Sequence, residues 1–297
     1  IRYGRVLSGP AAMNLSVIIA THNRPESLAR LLRCLAPQIA GGERQIIVAE
    51  NGTPEPVVLS PDLLVDLAPI RHLHEPRAGK CRIQNRAIAE AAGAILVFLD
   101  DDLVAGDHYL DAVEEFFAAH PEFAAMAGRV APAEDPIKKA GPRWVYLDLP
   151  IFERGEEVIE VRGVIGANMA FRAAAIRRAG PFDERLGPGA GGHEEETEMS
   201  ARLRRSGYKI GYAPKAIVYH EVDPARAGRE RFIRVARERG RCRMLHDEHS
   251  AFEVITKNVI AWARLKMARA AGASSERIAR EERRAAVARG MFDGLAG

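Results

Sequence analysis

Short apolar runs alternate with segments of helical periodicity through the first third of the chain. Residues 15–20 (LSVIIA), 44–50 (RQIIVAE) and 94–99 (AILVFL) are rich in β-branched or other apolar side chains, which is typical of strands buried on both faces of a parallel sheet. Between them, residues 25–35 and 83–91 repeat apolar side chains at the three- and four-residue spacing of amphipathic helices. The first of these begins with a proline, which suits the first position of a helix. The alternation predicts βαβ units in a doubly wound sheet.

The second third of the chain is less regular. Residues 131–162 are rich in proline and charge, and we expect loops there that cover the functional site. A strand is predicted at 166–172, followed by a short helix that ends at Gly180. A glycine-rich loop then leads into a helix stopped by Gly207, and two short strands are predicted within residues 208–219.

The last quarter of the chain is predicted to be helical and basic. An apolar stripe with Arg and Lys on the other faces is formed by Phe252, Ile255, Val259, Trp262 and Leu265. The formal net charge of the chain is +3, but residues 226–297 hold 17 basic and nine acidic side chains. These basic residues are compatible with a solvated helix face, with an anionic membrane surface, with a lipid-diphosphate acceptor and with a second subunit. No recognition motif supports nucleic-acid binding.

The bulk properties favour a soluble globular protein of the cytoplasm. The chain has 297 residues, of which 47% are hydrophobic, so a substantial core is expected. No apolar run approaches the roughly 18 residues of a membrane-spanning helix, and the N-terminus lacks the pattern of a signal peptide. The cysteines, Cys34, Cys81 and Cys242, include no CxxC pair, so neither a disulfide framework nor a cysteine zinc site is predicted.

Three consecutive aspartates, Asp100 to Asp102, follow the predicted strand 94–99. Such a concentration of negative charge is unfavourable unless a cation or strong donors neutralise it. Because side chains alternate along extended backbone, Asp100 and Asp102 are expected on one side, with Asp101 turned away. Mg²⁺ or Mn²⁺ suits this arrangement, although aspartates before a helix are also common as caps. In open α/β sheets ligands bind beyond the carboxyl ends of the strands, so the loops after residues 20, 50 and 99 are expected to open onto one crevice.

Other charged side chains are compatible with more than one role. The four glutamates within residues 194–198 suit the N-terminus of a helix, and one of them is a candidate general base. His220 is either a structural histidine or a metal ligand. Lys80 is either an exposed lysine or a phosphate-binding group near a helix start. Neither a P-loop nor a GxGxxG motif is present, which argues against ATPases and dinucleotide-dependent dehydrogenases.

Eight segments, taken in order, resemble the motif series of family 2 glycosyltransferases with the GT-A fold. They are SVIIATHNRPESL, ENG, AGKCRIQNRAI, ILVFLDDD, GANMAFRAAAI, GPFDERLG, HEEETEMSARLRRSGYKI and IVYHE, and they span about residues 14–223. The resemblance implies an α/β fold with a Rossmann-like, mixed but mostly parallel sheet flanked by helices, and a C-terminal helical extension. It also implies an inverting enzyme that moves a sugar from a nucleotide diphosphate, most often UDP, to an acceptor hydroxyl with a divalent metal, Mn²⁺ or Mg²⁺.

The resemblance also assigns roles to single residues. The expected nucleotide-sugar-binding residues are Ala20, Thr21, Asn23, Arg24, Glu50, Lys80, Asn85, Asp100 and Asp101. The expected metal ligands are Asp100, Asp102 and His220, the expected catalytic residues are Glu195 and Glu196 with Glu196 as the base, and the expected acceptor-binding residues are Gly166, Ala167 and Asn168. The sequence departs from the family where Glu50 and Glu196 stand in place of the usual aspartates, and the additional Glu194 leaves the base uncertain by one position.

The expected organisation is an N-terminal extension at 1–13, a nucleotide-sugar-binding half at 14–130, an acceptor-binding half at 131–225 and a basic helical extension at 226–297. The QxxRW motif of processive members is missing, so one sugar per encounter is expected. The acceptor is expected to be a glycan, a lipid-linked sugar or a small molecule. For the C-terminal part, a peripheral contact with the inner face of the membrane or a homodimer is expected. A nucleotide-sugar-binding module without catalysis and a metal-dependent phosphohydrolase are the alternative functions.

Overall fold

The computed structural model describes residues 15–39, 44–58, 70–133, 150–221, 228–247 and 249–295. The expected N-terminal extension at 1–13 and residues 134–149 of the loops expected at 131–162 lie outside these residues. The strands are β1 (Leu15–Thr21), β2 (Arg44–Asn51), β3 (Ile70–Glu75), β4 (Ile95–Asp100), β5 (Leu103–Ala105), β6 (Phe123–Pro132), β7 (Ile159–Val161), β8 (Asn168–Arg172) and β9 (Lys209–His220). The helices are α1 (Pro25–Ile39), α2 (Lys80–Glu90), α3 (Tyr109–Ala119), α4 (Ala173–Ala179), α5 (Glu195–Arg205), α6 (Arg229–His246), α7 (Ala251–Ala270) and α8 (Ser275–Asp293).

One mixed sheet contains the nine strands of the described residues, in the order β3-β2-β1-β4-β8-β6-β9-β5, with β7 beside β9. The pairs among β1 to β4 are parallel, and β8 lies antiparallel between β4 and β6. The prediction of a mixed sheet flanked by helices is confirmed. The predicted boundary at residue 130 falls inside β6, so the two halves share one sheet, and their separate roles stay a prediction.

The sheet is covered on both faces, as the apolar strands predict. Alternate residues of β1 point to opposite sides, so that Val17 packs in the cluster with α1 and α3 while Ile18 packs in the cluster with α2, α4 and α5. All seven residues of β1 are buried. This burial explains why the strand is a continuous apolar run rather than an alternating one.

The two strands predicted within residues 208–219 form a single strand, β9. The prediction of two strands was wrong: the pairing is interrupted around Pro214, a residue typical of strand boundaries, but the strand continues beyond it. In the structure Ala213 pairs with Gly128, and Ile217 pairs with the next residue of β6, so residues 214–216 form a bulge within a continuous strand.

The C-terminal part consists of α6, α7 and α8. Glu282 on α8 is buried and accepts hydrogen bonds from Arg229 on α6 and Arg269 on α7, at 2.7 and 2.6 Å. Helices α6 and α8 approach so closely at Gly240 and Gly290 that a Cβ atom on either glycine would overlap the backbone of the other helix. Because the described residues after 228 form these three helices, the expectation of a C-terminal helical extension is confirmed.

The predicted apolar stripe of α7 does not face the protein. Phe252, Val259 and Trp262 are 80%, 61% and 58% exposed. The helix instead buries the small and branched side chains of Val254, Ala261 and Ala268. No helix in the described ranges is long and apolar enough to span a bilayer.

Candidate active site

A crevice of about 420 Å³ opens where three parallel strands end. Thr21 ends β1, Asn51 ends β2 and Asp100 ends β4, and all three residues line the crevice. The register explains this convergence, because Ala20 pairs with Ala49 on one side and with Asp100 on the other. The expectation that the loops after these strands open onto one crevice is confirmed.

The three aspartates have different partners. Asp101 is buried, accepts a hydrogen bond of 2.7 Å from the Thr21 hydroxyl and one of 3.0 Å from Arg24. The same Arg24 Nη1 donates to Asp102 Oδ2 at 2.9 Å. Burial raises the pKa of Asp101, and the Thr21 and Arg24 donors oppose that rise. Asp101 thus fixes the base of the turn after β4, and all three aspartates line the crevice.

Lys80 neutralises the acidic side of the crevice. Its Nζ donates to Asp100 Oδ1 at 2.6 Å and lies 3.6 Å from Glu195 Oε1. Burial disfavours the charge of Lys80, but Asp100 and Glu195 have the larger combined effect and raise its pKa. The ammonium group therefore joins the aspartate turn to the start of α5.

His220 ends β9 beside Asp102, with its Nε2 3.4 Å from Asp102 Oδ1. Its Nδ1 lies 2.7 Å from the carbonyl oxygen of Glu221, which only accepts, so Nδ1 carries a proton. In the neutral ring the lone pair is then on Nε2, directed toward a carboxylate oxygen. Two acceptors that face each other at this distance fit a shared divalent cation, and the hydrogen bond at Nδ1 is the arrangement that orients a ligating histidine.

Within the described part of the chain, no three His, Cys, Asp or Glu side chains form a preformed metal group. This is compatible with the preference of Mg²⁺ and Mn²⁺ for one or two carboxylates completed by substrate phosphates and water. The residues that could hold such an ion are the predicted ones, Asp100, Asp102 and His220. They fit it by donor chemistry, since all three line the crevice and present oxygen or imidazole nitrogen.

The glycine-rich loop before α5 lines the crevice with Pro188 and Gly189, whereas the glutamates that follow it are not among the lining residues and adjoin the crevice through Lys80. Gly189 has a φ of +83°, and a Cβ there would overlap the backbone of Gly79, so the loop packs directly on the start of α2. The amide of Lys80 donates to the carbonyl of Pro188 at 2.9 Å. The loop is held from the other side by Cys242 on α6, whose thiol donates to the carbonyl of Gly191 at 2.9 Å.

Three glutamates at the start of α5 differ in environment. Glu194 has a left-handed backbone, with a φ of 75°, and accepts a hydrogen bond of 3.2 Å from Arg243. Glu195 is buried beside Lys80. Glu196 is half-buried, has no ion pair within the described residues, and burial together with the neighbouring Glu195 charge raises its pKa to about 8. A carboxylate with this proton affinity is suited to general base catalysis.

Three predicted donor-site residues lie elsewhere. Asn23 is exposed in the loop after β1, with a φ of 52°. Glu50 is fully buried, and its carboxylate accepts hydrogen bonds from the Thr53 hydroxyl and the Val57 amide, so it holds the loop after β2. Asn85 exchanges two hydrogen bonds with the backbone of Phe182, at 2.7 and 2.9 Å. Their side chains are not part of the crevice lining.

The predicted acceptor residues precede and begin β8. Gly166 lies beside the base candidates, since a Cβ at this position would lie 3.7 Å from Glu196 Cδ. Ala167 accepts a hydrogen bond from the Asp100 amide through its carbonyl. The side chain of Asn168 is fully buried and bonded to Tyr109, Arg129 and Ala216, so its amide has an internal structural role.

Sequence reasoning missed several residues of the crevice. Asn51 connects two loops, because its Nδ2 donates to the Thr21 carbonyl and its Oδ1 accepts from the Gly79 amide. Its position at the end of a predicted strand was the available signal. Arg231 and Arg239 of α6 also line the crevice. No local motif marks them, since they belong to a helix that only the tertiary structure brings to this edge.

Residues 16–180 match the family described as Glycosyl transferase family 2. The pre-mycofactocin glycosyltransferase of Mycobacterium tuberculosis is 28% identical over 228 residues, which are 74% of this chain and 45% of that protein. The O-antigen chain rhamnosyltransferase RfbN of Salmonella typhimurium is 26% identical over 214 residues, which are 70% of this chain and 66% of that protein. This chain thus spans less than half the length of the M. tuberculosis relative.

Among solved structures, the mannosyltransferase PcManGT from Pyrobaculum calidifontis, in complex with GDP-Man and Mn²⁺, has a TM-score of 0.58 to this chain. The two share 17% sequence identity, and the likeness covers 95% of this chain and 87% of the mannosyltransferase. At this identity the likeness establishes the fold, which is GT-A.

Proposed function

Because this chain belongs to glycosyltransferase family 2, we propose that it transfers one sugar from a nucleotide diphosphate sugar to an acceptor hydroxyl, with inversion and with a divalent metal. A UDP-sugar is the proposed donor, and cell-surface polysaccharide, glycolipid or another glycoconjugate is the proposed product. One observation carries the proposal: Lys80 lines the same crevice as the aspartate turn and His220, and its Nζ lies 3.6 Å from Glu195 Oε1 at the acidic start of α5. The relative solved with GDP-Man and Mn²⁺ supports a nucleotide sugar and a metal.

The donor diphosphate is proposed to lie against Asp100, Asp102 and His220. A bound Mn²⁺ or Mg²⁺ would act there as a Lewis acid toward the leaving diphosphate. Arg24 and Lys80 neutralise the aspartates in the structure and lie within the crevice, so both cations are in place to attract phosphate oxygens. Thr21 and Asn51 keep the loops around this site in position through their hydrogen bonds.

Glu196 is proposed to take the proton of the acceptor hydroxyl as that oxygen attacks the anomeric carbon. The bond to the leaving diphosphate breaks on the opposite face, so a single displacement inverts the centre without a covalent intermediate. Gly166 leaves space beside the Glu196 carboxylate, which a larger side chain would fill. Glu195 pairs with Lys80 and is therefore proposed to tune the base rather than to replace it.

Calorimetric titration of UDP and of GDP into the protein, with and without Mn²⁺, tests the proposal. We expect Mn²⁺-dependent binding of UDP that the Asp100→Ala/Asp102→Ala double variant loses. Absence of nucleotide binding under every condition would refute the transferase function. Nucleotide binding with neither transfer nor donor hydrolysis would favour a binding module, and rapid release of phosphate from simple phosphomonoesters would favour a phosphohydrolase.

We also propose a peripheral membrane contact through α7. Phe252, Val259 and Trp262 expose their side chains on one side of the helix, and Lys266 lies over the Trp262 ring at 5.1 Å. Apolar side chains flanked by cations suit a surface of anionic lipids. Co-sedimentation with vesicles that contain anionic lipid should be lost in a Phe252→Ser/Trp262→Ser variant. A dimer in analytical ultracentrifugation that this variant abolishes would instead assign the face to a second copy of the chain.

A further inference from the structure

A second cavity, of about 970 Å³, lies outside the crevice and is enclosed largely by the C-terminal helices. Its lining residues belong to α6, α7 and α8, to the connection between α6 and α7 at Asp247 and His249, to Thr197 at the start of α5 and to Ile151 and Arg154. We call it the basic cavity. None of the predicted site residues lines it, so the proposed donor chemistry does not account for it.

The charge of the basic cavity is strongly one-sided. Eight Arg and Lys side chains line it, whereas Asp247 is its one carboxylate among the described residues. Several of these cations pair with acids, such as Arg243 with Glu194 at 3.2 Å and Lys257 with Glu253 at 2.6 Å. These ion pairs fix the side chains without cancelling the excess of positive charge.

Three lining arginines have no acidic partner within salt-bridge distance in the described ranges. They are Arg154, Arg239 on α6 and Arg264 on α7. Like charges gathered around one concave space raise its potential and attract anions. The effect extends to His193, whose pKa is lowered to about 4 by burial and by the nearby cations Arg239, Arg231 and Lys80. Arginine, with its planar fork of donors, binds phosphate oxygens in a bidentate manner.

The basic cavity adjoins the catalytic groups. Arg239 lines both this cavity and the donor crevice. Thr197, which follows the proposed base Glu196 in the chain, lines the basic cavity as well. An anion held here would therefore lie next to the start of α5, at the residue that follows Glu196.

We propose that the basic cavity binds a phosphate or diphosphate group of the acceptor and thereby positions the acceptor hydroxyl at Glu196. This rests on the proposed transferase function and adds the chemical class of its acceptor, a phosphorylated or diphosphorylated sugar. Apolar side chains of Ile260, Val287 and Met291 form another part of the lining. They suit an acceptor whose phosphate is attached to an apolar group, such as a lipid carrier.

The test uses pyrophosphate as the probe, titrated by calorimetry in the presence of EDTA, so that binding to a metal at the aspartates does not contribute. Three proteins are compared: the wild type, a Lys257→Ala/Arg264→Ala variant of the cavity and an Arg241→Ala/Arg277→Ala control. All four positions are exposed, and the control removes the same charge from helices α6 and α8 outside the cavity lining. We expect the cavity variant to bind pyrophosphate at least tenfold more weakly and the control to remain within about twofold of the wild type.

Equal weakening in both variants would overturn the proposal, since it would show a general effect of charge, and so would absence of pyrophosphate binding by the wild type. Binding of UDP with Mn²⁺, measured in parallel, should be the same in all three proteins. If no protein binds UDP while pyrophosphate still distinguishes the variants, the transferase proposal fails and the anion site stands.

A vesicle experiment separates two sources of the phosphate. Phosphatidylcholine vesicles with and without a polyprenyl diphosphate are sedimented with each protein. Binding that requires the diphosphate, that pyrophosphate competes away and that the cavity variant loses would assign the site to a lipid-linked acceptor. Pyrophosphate binding without any vesicle binding would assign it to a water-soluble phosphorylated acceptor.

Discussion

The environment of Glu196 gives a quantitative prediction for the pH dependence of catalysis. Its pKa is raised to about 8 by burial and then by the charge of Glu195. At pH 7 only about one-tenth of a carboxyl group with this pKa is ionised. Because kcat/KM reports the ionisation of the free enzyme, we expect kcat/KM for transfer to rise about tenfold per pH unit below pH 8 and to level off above it.

Neutralising Glu195 should shift this profile toward acid. In Glu195→Gln the like charge next to Glu196 is removed, and Lys80 loses one of its two carboxylate partners. Both changes favour the ionised form of Glu196, so its pKa falls, by about one unit as an order of magnitude. At pH 7 the ionised fraction then rises from about one-tenth to about one-half, an increase of about fivefold.

The assay is initial-rate transfer at low donor concentration, measured from pH 5.5 to 9.5 for the wild type, Glu195→Gln and a Glu184→Gln control. Glu184 is 46% exposed and pairs with Arg82, so its charge should leave the midpoint unchanged. A wild-type profile that is flat between pH 6 and 9 would refute the role of Glu196. An unchanged midpoint in Glu195→Gln would refute the electrostatic reasoning. Loss of transfer at every pH in Glu195→Gln, with activity retained by Glu196→Gln, would make Glu195 the base.

Three further predictions concern groups around the crevice. Lys80→Met leaves Asp100 and Glu195 without their cation and should weaken Mn²⁺-dependent UDP binding tenfold or more by calorimetry. An unchanged affinity would contradict the proposed role of Lys80 in binding the sugar donor. Asn168→Ala removes buried hydrogen bonds and should lower the free energy of unfolding in urea by about 2 to 4 kcal/mol, while the KM for the acceptor stays unchanged. A raised KM in a variant of full stability would instead place Asn168 in the acceptor site. In Gly189→Ala the new Cβ would overlap neighbouring backbone at a residue with a positive φ, so the variant should be less stable by about 1 to 3 kcal/mol in the same urea assay. A fully stable variant would show that the loop adjusts.

Elements specified by local patterns were predictable from the sequence. The buried strand β1, the proline at the start of α1 and the aspartates after β4 each have a signal within a few residues. The order of the strands was less accessible, because β8 enters the sheet antiparallel between β4 and β6 through contacts distant in sequence. The continuity of β9 was also not accessible, since a bulge allows the strand to continue past Pro214, a residue type that ordinarily ends a strand.

The candidate site was predictable only in part. The residues at the ends of β1 and β4 reached the crevice because parallel strands bring their carboxyl ends together. Glu50 is also near a strand end, but its side chain turns to the loop after β2, and nothing in the local sequence shows this orientation. The stripe of α7 obeys helical periodicity and is nevertheless exposed, since periodicity shows that a helix has an apolar face and not what that face contacts.

The contact between Gly240 and Gly290 restricts how this part of the chain can diversify in evolution. Gly240 directly follows Arg239, the residue shared by the crevice and the basic cavity. A larger side chain at either glycine would separate α6 from α8 and carry Arg239 with it. Descendants that exchange substrates are therefore expected to vary the side chains around the cavity while keeping both glycines, and a lineage that loses one glycine should need compensating changes on the facing helix.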